Sequence, residues 1–389
     1  MHGHEPDLRG FSVAEPAAEG FDAAKLERAI AFARDEAETP WGRDLSRGIA
    51  EAEINEPPPW NEILGPTRPR GGPNGIILRH GNVVGRWGDI HRVDMTFSAA
   101  KSYLSLLAGL AVADGLIRSI DDPMRDYALD GGRLRPAADN ESSSRGDTRD
   151  DAFESAQNRS ITWRHMLTQT SEWEGELWGK PDLIDRNRRV GPGVDNSAKG
   201  THRDLQKPGT FYEYNDVRVN RLSLSLMQVF RRPLPEVLKE RIMDPIGCSA
   251  DWEWHGYRNS WIDIDGQRMQ AVPGGCHWGG GIWIGTADHM RVAELVRRNG
   301  EWEGRQLIPA SWIAAIRTPS AVYPRYGLLW WLNTGREPYP GVPETSFFAR
   351  GAGSNVLWVD QELALTAVFR WIDQKKIADF LTRVVASLV

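Results

Sequence analysis

The feature that most constrains this 389-residue chain is the run from Tyr103 to Ile117, where apolar side chains dominate until Gly115 near its end. A helix that is apolar on all sides has to be wrapped by other elements. It is also shorter than the roughly 20 residues of a membrane span, and no apolar run of that length occurs elsewhere. The chain must therefore supply a shell around a central helix. Asp22 is placed to cap a helix bearing Leu26, Ala29, Ile30 and Ala33. Residues 76–84 predict two strands joined by a turn at His80–Asn82. Helical patterns follow at Trp163–Thr168, Val219–Phe230, Leu234–Met243 and Ala287–Arg298. Strand-like runs at Asn355–Val359 and Leu363–Arg370 are separated by Asp360-Gln361-Glu362. An amphipathic helix with Ile377, Phe380, Leu381, Val384 and Leu388 closes the chain.

Strands near both termini with helices between them predict an α+β protein. Both chain ends assemble an antiparallel sheet flanked by helices, and a mostly helical subdomain is inserted. The expected boundaries are a tail over 1–20, an α/β subdomain over 21–96 and 300–389, and a helical subdomain over 97–299, all one catalytic unit. Residues 51–74, rich in Pro and Gly, read as loop. Residues 131–160, with the run Ser142-Ser143-Ser144, read as a polar surface excursion.

Net charge is −6 with both signs interspersed, so there is no basic stripe of the kind that binds nucleic acid. Two cysteines, Cys248 and Cys276, exclude a disulfide framework and a cysteine-based zinc site. His2 and His4 are metal candidates only in name, because a disordered terminus is the default reading. No cofactor or metal is expected. The N-terminus lacks a basic segment followed by an apolar one, which predicts a cytoplasmic protein without a membrane partner. Self-association is left open. Most of the seventeen tryptophans are expected in the core. Trp173/Trp178 and Trp330/Trp331 are candidates to line a cleft. There is no Gly-x-Ser-x-Gly elbow, His-Glu-x-x-His, phosphate-binding loop or dinucleotide fingerprint. Cys276-His277 is a poor nucleophile pair, because adjacent side chains on an extended chain point apart.

Ser98 and Lys101 open the apolar helix three residues apart, within Thr96-Phe97-Ser98-Ala99-Ala100-Lys101. Residues i and i+3 share a helix face, so hydroxyl and amine can meet. The helix N-terminus favours developing negative charge at the serine. Burial beside an apolar helix is expected to lower the lysine pKa, and a neutral amine can take the serine proton. Ser-x-x-Lys is a loose pattern, but this is its only occurrence in the chain. A second segment, Pro208-Gly209-Thr210-Phe211-Tyr212-Glu213-Tyr214-Asn215-Asp216, precedes the helical pattern at 219.

With these two segments the chain resembles the β-lactamase and penicillin-binding-protein-like serine hydrolases, nearest the class C β-lactamase branch and its related esterases and amidases. That family pairs Ser-x-x-Lys with a later Pro-Gly…Tyr-x-Asn segment. The resemblance puts Tyr214 at the tyrosine that shares the proton relay, and Asp216 at the asparagine. The segments Ile161–Ser171 and Gly279–Asp288 resemble further family stretches, so the likeness runs from about residue 20 to residue 389. The family carries Lys-Thr-Gly, or a His variant, on an edge strand facing the serine. Aligned to Arg350-Gly351-Ala352-Gly353-Ser354-Asn355, the three positions fall on Ala352, Gly353 and Ser354, and the basic group is missing. Arg350 stands nearby as a substitute charge. The resemblance implies an oxyanion hole from the backbone N–H groups of Ser98 and Asn355. Trp173 (in the acidic run Glu172–Trp178), His277 and Trp278 are expected near substrate, with Asp216, Arg350, Ala352 and Gly353.

These residues imply a serine hydrolase working through an acyl-enzyme, with Ser98, Lys101 and Tyr214 as its machinery and a small-molecule ester or amide as its partner. An esterase or amidase is favoured by the missing basic side chain. A β-lactamase or D-Ala-D-Ala carboxypeptidase is the alternative, and a catalytically silent binding protein on the same fold is a second.

Overall fold

The computed structural model describes residues 8, 10–51, 56–127, 150–191, 193–275 and 277–389. His2, His4, Ser142–Ser144 and Cys276 lie outside them. Six strands form the main sheet: β1 (Asn74–Arg79), β2 (Asn82–Trp87), β3 (Trp331–Leu332), β4 (Phe347–Gly351), β5 (Asn355–Asp360) and β6 (Leu365–Arg370). Their order is β3-β4-β5-β6-β1-β2, and every neighbouring pair is antiparallel. The two chain ends meet where β1 pairs with β6, with Ile77 opposite Ala367 and Ile76 opposite Val368. The β1–β2 turn has positive φ at both His80 (50°) and Gly81 (89°), the twist that suits a tight hairpin.

Alternation along the strands gives the sheet two buried faces. Ile77, Trp358 and Phe369 point to one face, where they pack with Leu26 and Ile30 of α1 (Ala23–Ala31) and with Phe380 and Leu381 of α5 (Ile377–Val385). Asp22 caps α1 by accepting the Lys25 N–H at 3.0 Å. Ile76, Leu78, Leu357 and Val368 point to the other face, toward the large core around α2 (Ala100–Ala113). Residues Ala100 to Ala111 of α2 are all buried, as the apolar run requires. α3 (Asp216–Phe230) packs across α2, and α4 (Thr286–Arg297) packs on β5 and β6. Although α4 falls within the span read as helical subdomain, it forms part of the layer on the sheet. The fold is α+β, an antiparallel sheet sandwiched by helices.

The described end of the polar 131–160 stretch is only partly at the surface: Asp151, Ser155, Arg159 and Ser160 are exposed. Asp150, Phe153 and Asn158 are buried, with Asp150 held by Arg221 at 3.2 Å and by Gln228 at 2.7 Å. Polar side chains enter the interior here because they arrive already paired.

Candidate active site

The serine sits on a strained turn. A short 3-10 segment, Phe97–Ala99, leads from the two-residue strand Asp94–Met95 into α2, and Ser98 within it is partly exposed. Phe97 is forced to φ 50°, a conformation that costs roughly 1–3 kcal/mol and persists only when its surroundings hold it. They do: the Phe97 ring is buried among Trp41, Trp283 and Trp371, edge-on to Trp41 at 5.7 Å. One helical turn on, buried Lys101 donates from Nζ to Ser98 Oγ at 2.9 Å.

Lys101 has a second partner that local sequence does not show. Asp216, the first residue of α3, accepts from Lys101 Nζ through Oδ1. Its Oδ2 takes the Arg188 guanidinium at 2.7 Å and lies 3.3 Å from His277 Nδ1. The Asp216 N–H donates to Asp185 at 2.9 Å, and Asp185 lies 3.2 Å from Lys199 and 3.6 Å from Arg188. Glu56 closes the chain of charges against Lys199 and against His277 Nε2, the latter at 2.6 Å. The nucleophile is backed by a buried ionic network spanning four separated segments.

This network sets the charge on Lys101. Burial, the largest influence, pulls its pKa down. The carboxylate of Asp216 and then Tyr214 outweigh that pull, and the pKa ends above the ordinary lysine value. The expectation of a neutral amine is thus corrected: Lys101 is an ammonium ion, because α3 delivers a carboxylate to it. Burial raises the Asp216 pKa, but Arg188, Lys101 and His277 together hold it well below the usual carboxylate range.

Tyr214 is buried, two residues before Asp216, and stacks on Trp331 with ring centres 5.6 Å apart. Lys101 Nζ lies 4.7 Å from the ring centre and the Arg188 guanidinium carbon 5.2 Å. Both cations lie within cation–π range of the ring. Tyr214 and Trp331 also help to wall a cavity of about 420 Å³.

The third segment approaches the serine turn through the end of β4. β4 ends at Gly351, and a Cβ there would stand 1.9 Å from Thr96 O and 3.1 Å from Ala99 N. Gly351 is therefore the residue that abuts the serine turn. Ala349, two residues earlier, faces the α2 core with it. Ala349, Arg350 and Gly351 are thus the strand residues that lead up to the serine turn. Arg350 lies 5.3 Å from the Trp331 ring centre and 5.6 Å from that of Tyr339.

Asn355 does not face the cleft. It is fully buried opposite Gly351, donating to Ala352 O at 2.6 Å and accepting from Arg370 at 2.6 Å. Arg370 also donates to the carbonyls of Asp94 (2.7 Å) and Met95 (2.8 Å), tying the hairpin to the strand before the serine. Ala352 is partly exposed, whereas Gly353 is buried with φ 66° against the Trp371 ring.

The remaining expectations divide. His277 belongs to the site network as a neighbour of Asp216. Trp173 does not reach a cleft: it is buried, its indole N–H given to Ala152 O at 2.8 Å. Glu172 beside it is fully buried between Arg203 (2.6 Å) and Arg218 (2.8 Å), so this run is a structural ion-pair cluster. Trp278 is buried under the Lys180 ammonium, 4.2 Å from its ring centre. Arg188, Asp185, Lys199 and Glu56 were not singled out, because nothing local marks them. Among the described residues, no cluster of three or more His, Cys, Asp or Glu side chains is arranged for a metal ion.

The chain matches the Beta-lactamase family over residues 76–381, and it belongs to that family. No curated protein matches it. Among solved structures it is similar to a penicillin-binding protein homologue from Caulobacter crescentus, at 14% identity with a TM-score of 0.57, covering 94% of this chain and 97% of that one. It is similar to EstCE1, a hydrolase with promiscuous acyltransferase activity, at 14% identity and TM-score 0.55, covering 94% and 98%. A β-lactamase/D-alanine carboxypeptidase from Yersinia pestis complexed with citrate aligns at 14% identity and TM-score 0.51, covering 81% and 90%. At these identities the likeness is one of fold. No helix among the described residues is long and apolar enough to cross a membrane.

Proposed function

We propose that this protein is a serine hydrolase of the acyl-enzyme type, a carboxylesterase or amidase for small to medium acyl compounds. The observation that carries this reading is the 2.9 Å contact between Lys101 Nζ and Ser98 Oγ at a partly exposed helix start, under Tyr214. Because Lys101 is an ammonium ion, it serves as an electrostatic partner, and Tyr214 is the group that relays the serine proton. Ser98 Oγ then adds to the carbonyl carbon. The proton passes from Tyr214 to the departing oxygen or nitrogen as that bond breaks. Water, its proton taken through the same relay, releases the acid and restores Ser98. The N–H groups of Ser98 and Ala352 are the proposed oxyanion donors, and one such donor is worth about a hundredfold or more in rate.

Ala352 in place of the family's basic group argues against substrates anchored by a carboxylate, and so against the β-lactamase or peptidase alternative. The test is to offer a p-nitrophenyl ester, a chromogenic cephalosporin and a fluorophosphonate. Ester turnover and a covalent mass shift on Ser98, both lost in Ser98→Ala, are expected. Efficient cephalosporin turnover would favour the alternative. The absence of any adduct or turnover would leave a silent binding protein on this fold.

A further inference from the structure

The 420 Å³ cavity beside Tyr214 has a consistent chemistry. Tyr212, Tyr214, Tyr323, Trp331 and Phe211 line it, together with Arg188, Arg189, Val190 and Asp195. Tyr212 and Tyr323 stack at 4.1 Å with planes 14° apart, which makes a flat wall. Seven large hydrophobic residues are exposed among the described residues, and four of them gather here. Val190 and Phe211 line the cavity, and Val194 and Val322 are chain neighbours of lining residues Asp195 and Tyr323. A rim of exposed apolar side chains around a concavity marks a binding site.

The charges around it leave no net sign for a ligand. Arg188 is taken up by Asp216, and Glu213 by Arg203 at 2.7 Å and the Asn187 N–H at 2.6 Å. The remaining pair, Arg189 and Asp195, have opposite signs; hydrogen bonds from Ser197 chiefly lower the Asp195 pKa, and Arg189 adds to this. The ligand suited to this site is neutral, flat and apolar.

Its position relative to the chemistry follows from the proton path and rests on the acyl-transfer reading above. Tyr214 returns the serine proton to the leaving atom, so that atom must face Tyr214, and its substituent must lie where Tyr214 forms the wall. We infer that this cavity is the leaving-group pocket, and that the preferred substrates are esters of neutral, aryl-bearing alcohols. In the reaction the C–O bond to the aryl alcohol breaks as the Ser98 Oγ–C bond forms. The alcohol leaves with the proton that began on Ser98.

The experiment compares acetate esters of ethanol and of naphthylethanol, whose alcohols have similar basicity. Burying the aryl group should favour the naphthylethyl ester by roughly 10- to 100-fold in kcat/KM. Tyr323→Ala and Phe211→Ala should each lower turnover of the naphthylethyl ester far more than that of ethyl acetate, erasing most of the preference, while fluorophosphonate still labels Ser98. Binding of free naphthylethanol to the Ser98→Ala protein, measured by calorimetry, should weaken in the Ser98→Ala/Tyr323→Ala double variant. Normal labelling with no aryl preference, or a preference that both variants retain, overturns the inference. If Ser98 is neither labelled nor active, but naphthylethanol binds in a Tyr323-dependent way, the aryl site stands, and the hydrolase reading and the leaving-group assignment both fall.

Discussion

Replacing Asp216 by Asn tests the charge state on which the mechanism turns. The substitution keeps the shape of the side chain and removes one negative charge from between Lys101, Arg188 and His277. Two unit charges about 4 Å apart at an effective dielectric constant of about 20 attract by about 4 kcal/mol. Removing that attraction lowers the proton affinity of Lys101 about a thousandfold, since each factor of ten is about 1.4 kcal/mol. The sign is set by the need for an ammonium ion: activity is present below the Lys101 pKa and lost as pH rises through it. In the native protein that pKa lies above the ordinary lysine value, so kcat/KM for a p-nitrophenyl ester should not fall within the usual assay range. In Asp216→Asn the falling alkaline limb should arrive about three pH units earlier. Folding stability should also drop, by about 3 kcal/mol, because buried cations lose their partner. Arg188 still keeps Asp185 at 3.6 Å, which limits the loss. If Asp216→Asn were more active than the native protein at neutral pH, Lys101 would be the base and the reasoning would be refuted. Coincident alkaline limbs would refute it equally.

Gly351→Ala should abolish fluorophosphonate labelling of Ser98, because its Cβ would overlap Thr96 O and push the hairpin away from the serine turn. Retained labelling would show that this edge is not part of the site. Arg370→Met should lower stability by more than 3 kcal/mol in chemical denaturation, since the carbonyls of Asp94, Met95 and Ile284 lose a fully buried donor. His289 is fully buried against the Tyr103 hydroxyl at 2.6 Å, and burial holds its pKa well below the ordinary value of 6.5. It stays neutral in the folded state, so its contribution is present above about pH 6.5 and is lost as the unfolded chain takes up a proton below it. The fall in Tm from pH 7 to pH 5 should accordingly be smaller in His289→Gln than in the native protein, as measured by scanning calorimetry.

Periodicity and caps determined the parts of this protein that depend on near neighbours along the chain. The apolar run became α2 because nothing polar on it offered a surface face. The β1–β2 turn formed at His80-Gly81, and Asp22 capped α1. Ser98 and Lys101 met because three residues on a helix are one turn. The family likeness was legible for the same reason, since its motifs are short and local.

Tertiary structure decided the charge on Lys101, the approach of Gly351 to the serine turn and the aromatic wall beside Tyr214. Asp216 reaches Lys101 from a helix 115 residues away, and Arg188 and His277 come from two further segments. A long-range carboxylate can reverse the effect of burial, and local pattern cannot announce it. The strand beside the serine ends at Gly351 because Gly351 pairs with Asn355 and then closes on Thr96. That pairing sends Asn355 inward to Arg370, although its place after the glycines resembled a cleft position. The family resemblance suggested Trp173 and Trp278 as cleft residues, yet both are buried, Trp173 bonded to Ala152 O and Trp278 under the Lys180 ammonium. Trp331 reached the cavity because β3 is only two residues long and leaves its first side chain beside Tyr214. Local chemistry specified the nucleophile and its neighbour, whereas their ionisation and the shape of what they face arise from segments that only the fold brings together.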